Sequence, residues 1–487
     1  MHLHTLLSQL RPRPSVAGVP NVVITGLAED SRLVAPGDLF IARAGTKTDG
    51  AAFVRDAHAK GAVAAIVANR SADCQIPQVV VKDPGAIVSH LAHAFFAQPT
   101  ETLRVLGVTG TNGKTTTTYI IRHLLSSVRQ RCGMIGTVEI DDGRTRREAT
   151  MTTPGPIELA SLFATMRDKG CRAAAIETSS HALAQGRGAA IQYAGAGFTN
   201  LTGDHLDYHG TMENYAAAKA SLFANLDPDA VAVVNGDDKW SDRMIQDCPA
   251  RIFRFGFGKN ADYRAKDVEV TASGTNFTLC TPDGKANVSM GLIGKHNVEN
   301  ALLAAALVGE VYGLTVQQIA AGLRTATGAP GRLQTVRVGQ PFAVLVDYAH
   351  TDDALNNVLS ALRPLTKGKL RVLFGCGGDR DPSKRPRMAR IAEKLADVVY
   401  VTSDNPRTEQ PQAILDQVCG GLSRQDQAIV EIDRRSAIER ILADAQPGDV
   451  VLLAGKGHEN YQIIGTEKHH FDDVEEAMRA LRSKMAA

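Results

Sequence analysis

The chain has 487 residues, 44% hydrophobic and 22% charged, with 54 basic and 52 acidic side chains and a net charge of +2. This is the composition of about three globular domains with ample core, and its charge balance excludes an electrostatic nucleic-acid platform. Seven scattered cysteines without a Cys-x-x-Cys exclude structural zinc, and no apolar run nears the ~20 residues that span a bilayer, so a cytoplasmic protein without membrane insertion is expected.

Residues 1–99 read as a small α/β domain, with strands at 22–24, 38–42, 64–67 and 78–81 and helices at 51–60 and 87–97. Gln98-Pro99-Thr100 is the expected linker. A second domain, 100–330, opens with the strand 104–108 and a glycine-rich loop, 109–117, running into a helix over 117–128. Strands at 173–176, 196–199 and 230–234, an antiparallel patch over 265–293 and a long helix over 296–312 follow. The cluster Gly328-Ala329-Pro330-Gly331 marks the next boundary. In the third domain, 331–487, buried strands at 342–346, 370–374, 398–402 and 450–453 alternate with helices at 386–396, 412–422 and 435–445. The fold class is α/β throughout, with a mainly parallel central sheet and a Rossmann-like, doubly wound C-terminal domain.

The loop after the strand 104–108 carries the first chemistry. Gly110, Thr111, Asn112, Gly113, Lys114, Thr115 and Thr116 place a glycine turn at a helix N-terminus, where backbone N–H groups and the helix dipole bind phosphate. Lys114 is suited to the β/γ-phosphates of ATP, and the Thr115 hydroxyl to Mg²⁺. A strict P-loop has glycine at the position of Val108. Two more polar segments follow strand ends on the same edge: Glu177-Thr178-Ser179-Ser180-His181, and 199–209 with His205. A carboxylate and an imidazole there could ligate magnesium beside the nucleotide. In the helix over 213–226, Lys219 lies four residues after Tyr215 and three before Leu222, which turns it inward. A buried lysine is costly unless paired or chemically altered. In the third domain, polar clusters follow each strand, including 377–381, Ser403-Asp404-Asn405-Pro406-Arg407 and 455–459, the arrangement of a ligand site at the carboxyl edge of an open sheet.

With these residues the chain resembles the Mur ligase family over nearly its whole length. The matches are Thr109-Gly110-Thr111-Asn112-Gly113-Lys114-Thr115-Thr116, Glu177-Thr178-Ser179-Ser180-His181, Asn200-Leu201-Thr202, 204–210, Gly294-Lys295-His296-Asn297 with Asn300, Gly331-Arg332 and 347–351. The loop is that family's form, which accounts for Val108. The resemblance implies that CO₂ carbamylates Lys219, giving an N6-carboxylysine that ligates Mg²⁺. It implies that Thr115, Glu177 and His205 serve the magnesium ions, with Lys114, Glu177, His205 and Lys219 as the catalytic set. Asn297, Arg332 and Asp347 are implied to touch ATP.

Asp30-Ser31-Arg32 with 36–40 resembles the first domain of the third-residue-adding members. That implies contacts to the UDP-muramoyl dipeptide from Ser31, Thr46, Lys47, Thr48, Thr152, Thr153, Ser179, Gln185 and Arg187. Asp404-Asn405-Pro406-Arg407 resembles the diaminopimelate-adding subgroup. Meso-diaminopimelate differs from lysine by a distal carboxylate, and an arginine fork binds a carboxylate bidentately. Arg407 is therefore expected on that carboxylate, Asp404 and Glu459 on the distal ammonium, and Arg380, Asn405, Pro406 and Gly455 around them. Gly203 stands where relatives often carry a basic residue, and Asp352 where proline is usual.

The resemblance implies an ATP-dependent ligase of peptidoglycan precursor synthesis that joins meso-diaminopimelate to UDP-N-acetylmuramoyl-L-alanyl-D-glutamate through an acyl phosphate. Its partners are those small molecules, and a monomer is expected. Closure of the third domain on the second is expected to hinge near 329–333; no residue is singled out as general base. A lysine-adding ligase of the same family remains the near alternative. A folylpolyglutamate-synthetase-like ligase is disfavoured by the first domain and by 404–407. A catalytically silent, nucleotide-gated regulatory protein is disfavoured by the intact Lys114, Glu177, His205 and Lys219.

Overall fold

A computed structural model describes residues 1–44, 50–71, 74–424 and 428–486. Thr46, Lys47 and Thr48 lie outside the described residues. The chain forms two compact units, Met1–Phe255 with Ala306–Gly313, and Gly256–Ala305 with Leu314–Ala487. Among the described residues no helix is long and apolar enough to cross a membrane.

The first unit begins with a parallel four-stranded sheet, Gly26–Ala28, Asp38–Ile41, Ala64–Val67 and Gln78–Val80 in that order. Alternate side chains enter different cores. Leu39, Ile41 and Ile66 pack on one face, and Phe40, Ala65 and Val67 on the other. That is the pattern of a sheet covered on both sides, which reads as a continuous apolar run. The helix Pro84–Phe95 starts where Asp83 caps it, its Oδ1 accepting from Gly85 N and Ala86 N at 2.8 and 3.2 Å, with proline at the first helical position. Residues 22–24 form no strand. Leu3 N donates to Val22 O and Ile24 N to Met1 O, so the N-terminal segment takes these groups and the edge strand is Gly26–Ala28 instead. The expected helix over 51–60 is a 3₁₀ turn, Gly50–Phe53, followed by the helix Val54–Ala59. Gln98-Pro99-Thr100 is not a loose linker. Pro99–Glu101 is a 3₁₀ turn, and the buried Thr100 hydroxyl meets His93 Nδ1 at 3.5 Å and accepts from Gln192 N at 3.2 Å.

The strands Arg251–Gly256, Val231–Asn235, Tyr193–Phe198, Arg104–Thr109, Ala173–Glu177 and Cys132–Ile135 then lie side by side and parallel, and Glu139–Asp141 and Arg146–Glu148 extend them antiparallel. Parallel pairing brings the carboxyl ends of four neighbours, at Thr109, Glu177, Phe198 and Asn235, to one edge.

The second unit contains an antiparallel meander, Tyr263–Thr271, Gly274–Thr281 and Gly284–Met290. Its larger sheet runs Gln334–Thr335, Ala343–Asp347, Val450–Ala454, Leu370–Phe374, Val398–Thr402 and Ile429–Glu431, all parallel except the first. Val372 and Phe374 face one core and Leu373 the other, so the sheet is doubly wound. Two helices are additional to those expected from sequence, Asp352–Leu362 and Asp473–Ala486, both amphipathic and with acidic first turns. The first is capped by Thr351, whose hydroxyl accepts from Ala354 N. Asp352 occupies its first turn, where the dipole favours an anion, and pairs with Arg387 at 2.8 Å. Gly203 is exposed, with open space around its Cβ direction.

Candidate active site

The glycine loop is held by the neighbouring strand end. Thr111 N donates to Asn200 O at 2.8 Å and Asn112 N to Asn200 Oδ1 at 3.1 Å, while Asn200 Nδ2 returns a bond to Asn112 O. The Thr111 hydroxyl donates to Thr202 O, and it lies 3.2 Å from the Tyr215 hydroxyl. Gly110 (φ +139°) and Gly113 (φ +87°) adopt conformations that side chains resist, and a Cβ on Gly110 would overlap the Thr199 hydroxyl. The helix Lys114–Ser127 starts at Gly113 without a side-chain cap, so its first N–H groups are offered to the loop, as an anion site requires.

Glu177, fully buried, ends its strand against this loop. Its carboxylate accepts from the Thr115 hydroxyl at 3.0 Å, from Thr137 N at 2.8 Å and from the Thr137 hydroxyl at 3.0 Å. Burial pushes its pKa up, and Lys114 and these donors oppose the rise. Thr137 follows the carboxyl end of Cys132–Ile135 and was not singled out from sequence; its position beyond a parallel strand beside Glu177 is the signal that finds it.

Two lysines converge on one oxygen. Lys114 Nζ donates to Gly110 O at 2.9 Å and to Thr111 O at 2.8 Å, and Lys219 Nζ donates to the same Gly110 O at 2.8 Å. Lys219 is buried, as its inward helical phase predicts, and its ammonium stands 4.5 Å from the centre of the Tyr215 ring. Burial, and then the charge of Lys114, lower its pKa to about 6. At neutral pH it is therefore mostly an uncharged amine.

His205 is half exposed at the rim, in a left-handed conformation (φ +51°), 3.4 Å from Asp204 and with its ring 6.3 Å from that of Tyr215. It belongs to a cluster of rings with His181, Tyr208 and His209. Burial, followed by neighbouring imidazole charge, lowers the pKa of His181 and His209. Among the described residues no three His, Cys, Asp or Glu side chains converge as a metal site. The donors fit a hard divalent cation that takes most of its ligands from phosphate and water, with Glu177 and Thr115 as protein oxygens. A carboxylate created on Lys219 would add a second anionic side chain.

Beside Glu177 runs a row of hydroxyls. Thr137 Oγ1 and Thr152 Oγ1 are 3.0 Å apart, Thr153 Oγ1 donates to Glu177 O at 2.7 Å, and Ser179 N donates to Thr153 Oγ1 at 3.1 Å. Arg187 holds Thr153 O at 2.7 Å through one guanidinium nitrogen and grips Gln185 Oε1 through two others, at 2.9 and 2.7 Å. Arg43 and Glu29, paired at 3.1 Å, are close enough for their charges to act on Arg187. Thr152, Thr153, Ser179, Gln185 and Arg187 thus form one cluster. Ser31 lies in the separate turn closed by the 2.7 Å pair of Asp30 and Arg32.

In the second unit, Asn297 is buried and donates to Ile293 O at 2.9 Å. Asp347 accepts from Leu333 N and Ala349 N at 2.7 and 2.9 Å, and burial raises its pKa. The Arg332 guanidinium lies 5.3 Å from the centre of the Tyr348 ring. At the carboxyl edge of the large sheet, Asp404 and Asn405 are buried, and Asn405 Nδ2 donates to Glu459 Oε2 at 2.8 Å. Arg407, at φ +51°, donates from its backbone to Ile463 O at 3.0 Å and from Nη1 to Gly378 O at 2.8 Å. Pro406 O packs on Gly378, Gly455 lies against the Asp404 carboxylate, and Arg380 is exposed beside Gly377. The structure adds Lys456, fully buried among Asp404, Asn405 and Glu459. A lysine between two glycines gives no periodic sign of its burial.

Three family models match the chain: "Mur ligase family, catalytic domain" over residues 23–96, "Mur ligase middle domain" over 108–308 and "Mur ligase, glutamate ligase domain" over 331–457. Among curated proteins, the UDP-N-acetylmuramoyl-L-alanyl-D-glutamate–2,6-diaminopimelate ligases of Geobacillus kaustophilus and Bacillus cereus are 46% and 43% identical, covering 99% and 100% of this chain and 100% and 99% of their own. A solved structure of a ligase of the same name is 36% identical over 95% of each chain, with a TM-score of 0.73. MurF from Acinetobacter baumannii, at 22% identity and a TM-score of 0.63 over 94% of this chain and 96% of its own, shares the fold.

Proposed function

The chain belongs to the Mur ligase family, and we infer that it is the ATP-dependent ligase that adds meso-diaminopimelate to UDP-N-acetylmuramoyl-L-alanyl-D-glutamate in peptidoglycan precursor synthesis. Full-length identity of 43–46% to ligases of that name supports the activity. The observation that carries the acceptor assignment is the 404–407 turn, where Arg407 is anchored on Gly378 O beside the Asp404, Asn405 and Glu459 network. The working division is a UDP-binding domain at 1–99, an ATP-binding domain at 100–330 and an amino-acid-binding domain at 331–487, acting as a cytoplasmic monomer.

A free carboxylate is a poor electrophile for an amine, so ATP first phosphorylates the D-glutamate side-chain carboxylate. The loop 110–116 cradles the phosphates with its backbone N–H groups, and Lys114 neutralises charge on the transferring phosphoryl group. The row Thr152, Thr153, Ser179, Gln185 and Arg187 contacts the UDP-muramoyl dipeptide, together with Ser31 and 46–48. The diaminopimelate amine then attacks the acyl phosphate carbonyl, and the tetrahedral intermediate collapses by expelling phosphate. Asn297, Arg332 and Asp347 contact the ATP nucleoside. Arg407 holds the distal carboxylate of the amino acid, Asp404 and Glu459 its distal ammonium, and Arg380, Asn405, Pro406 and Gly455 frame it.

Mg²⁺ held by Thr115, Glu177, His205 and a carbamate on Lys219 would supply electrophilic charge at the phosphates. An uncharged Lys219 amine adds to CO₂ and releases one proton, giving a carboxylate beside the Lys114 ammonium, with which the amine shares Gly110 O. Lys114, whose charge disfavours an ammonium on Lys219, attracts the carboxylate instead.

Thr137 positions Glu177 without touching substrate. Thr137→Val keeps the backbone donor and removes the hydroxyl, and is expected to lower kcat about tenfold with the melting temperature nearly unchanged. Steady-state kinetics with a thermal melt check this; an unchanged kcat would remove Thr137 from the site.

The reading is tested by ADP release with the UDP-muramoyl dipeptide, ATP and a panel of amino acids. Release is expected with meso-diaminopimelate and not with lysine at the same concentration. Equal use of lysine would favour the lysine-adding alternative, and no amine-dependent release would favour a silent regulatory protein.

A further inference from the structure

Lys456 gives the amino-acid subsite a charge that the assignments above do not use. Its ammonium lies 3.3 Å from Asn405 Oδ1, 3.6 Å from Glu459 Oε2, 3.8 Å from Asp404 Oδ1 and 5.7 Å from the centre of the Tyr461 ring. The side chain is fully buried, and Asp404 and Asn405 are nearly so. An ammonium is held in such a place only by matched charge and acceptors. Two carboxylates against one ammonium leave a single net negative charge, enough for one incoming ammonium. The same group fixes Asn405. Its Oδ1 faces both Lys456 Nζ and Ile463 N, the latter at 2.9 Å, which commits its Nδ2 to Glu459.

We propose that Lys456 is a specificity-determining positioning residue: by cancelling one of the two carboxylates and orienting the Asn405 amide, it tunes the subsite to an amino acid whose far end is a zwitterion rather than a bare ammonium. The proposal rests on the function inferred above. Without Lys456, Asp404 and Glu459 present two negative charges. A distal carboxylate delivered to Arg407 is then repelled, whereas a lysine, which brings only an ammonium, is not. Loss of the charge therefore acts on the choice of amino acid, whereas a general loosening of the fold weakens both equally.

The experiment compares kcat/KM for meso-diaminopimelate and for lysine at raised concentration, on the full chain and on Lys456→Met, Lys456→Gln and Lys456→Arg. Lys456→Gln keeps a donor toward Asn405 and carries the same expectation if the methionine variant does not fold. The neutral variants are expected to lose about tenfold or more on diaminopimelate, chiefly in KM, and less than about threefold on lysine, with Lys456→Arg keeping the wild-type ratio. Equal losses on both amino acids, or a ratio that falls as far in Lys456→Arg, overturn the inference while leaving the function intact. A wild-type protein that ignores diaminopimelate overturns the function, and the inference with it.

Discussion

Lys219→Met is expected to lower amide formation by on the order of a thousandfold and, in CO₂-depleted buffer, to make the folded protein more stable. The two effects have one cause. Lys219 is buried against Tyr215 and shares Gly110 O with Lys114, so its ammonium is disfavoured in the fold and its pKa lies at about 6 against an ordinary value of 10.5. Between those values the unfolded chain binds the extra proton, so stability rises with pH from about 6 to 10.5, and at pH 7 the lysine costs several kcal/mol. Methionine fills similar space without that cost. The urea midpoint of the wild type should rise between pH 7 and 9, and that of the variant should start higher and lack this rise. The uncharged amine also makes Lys219 available to CO₂, so wild-type activity should fall in CO₂-depleted buffer and recover with bicarbonate. A variant that stays active would remove the carbamate from the account.

Arg407→Ala is expected to lower kcat/KM for meso-diaminopimelate by at least about a hundredfold while lysine use changes little. The guanidinium is pinned by Gly378 O, and the backbone of the same residue is bonded on both sides, Arg407 N to Ile463 O and Gly465 N to Arg407 O. The fork is thus delivered by a fixed turn, and its loss leaves the distal carboxylate without its bidentate partner. Competition between the two amino acids in one reaction, read by mass spectrometry of the products, checks this. Parallel losses on both would mean that Arg407 maintains the turn and does not choose the substrate.

Much of the candidate site was legible because it sits where local rules are strong. The glycine loop between an apolar strand and a helix has a fixed geometry, and the phase of Lys219 between Tyr215 and Leu222 turned it inward, where the structure buries it. The strands of the doubly wound sheet were legible as apolar runs, since both faces are covered. Thr137 was not, because Cys132–Ile135 is short and contains glycine, and its value lies in pairing with a strand some forty residues on. Lys456 was not, because its burial comes from Asp404, Asn405 and Glu459 and from no pattern around it. The segment 22–24 is apolar like a strand, but pairing with the first residues of the chain, which no local pattern encodes, took its backbone groups.

The inferred reaction requires that ATP activate the D-glutamate carboxylate for attack by the diaminopimelate amine. Its most direct measurement supplies the UDP-muramoyl dipeptide with both side-chain carboxylate oxygens of D-glutamate as ¹⁸O, together with ATP and meso-diaminopimelate, and follows the label by mass spectrometry. One ¹⁸O should appear in the released phosphate for each amide bond formed, and the other should remain in the amide carbonyl. Unlabelled phosphate, or ADP released without an amide, would contradict the account.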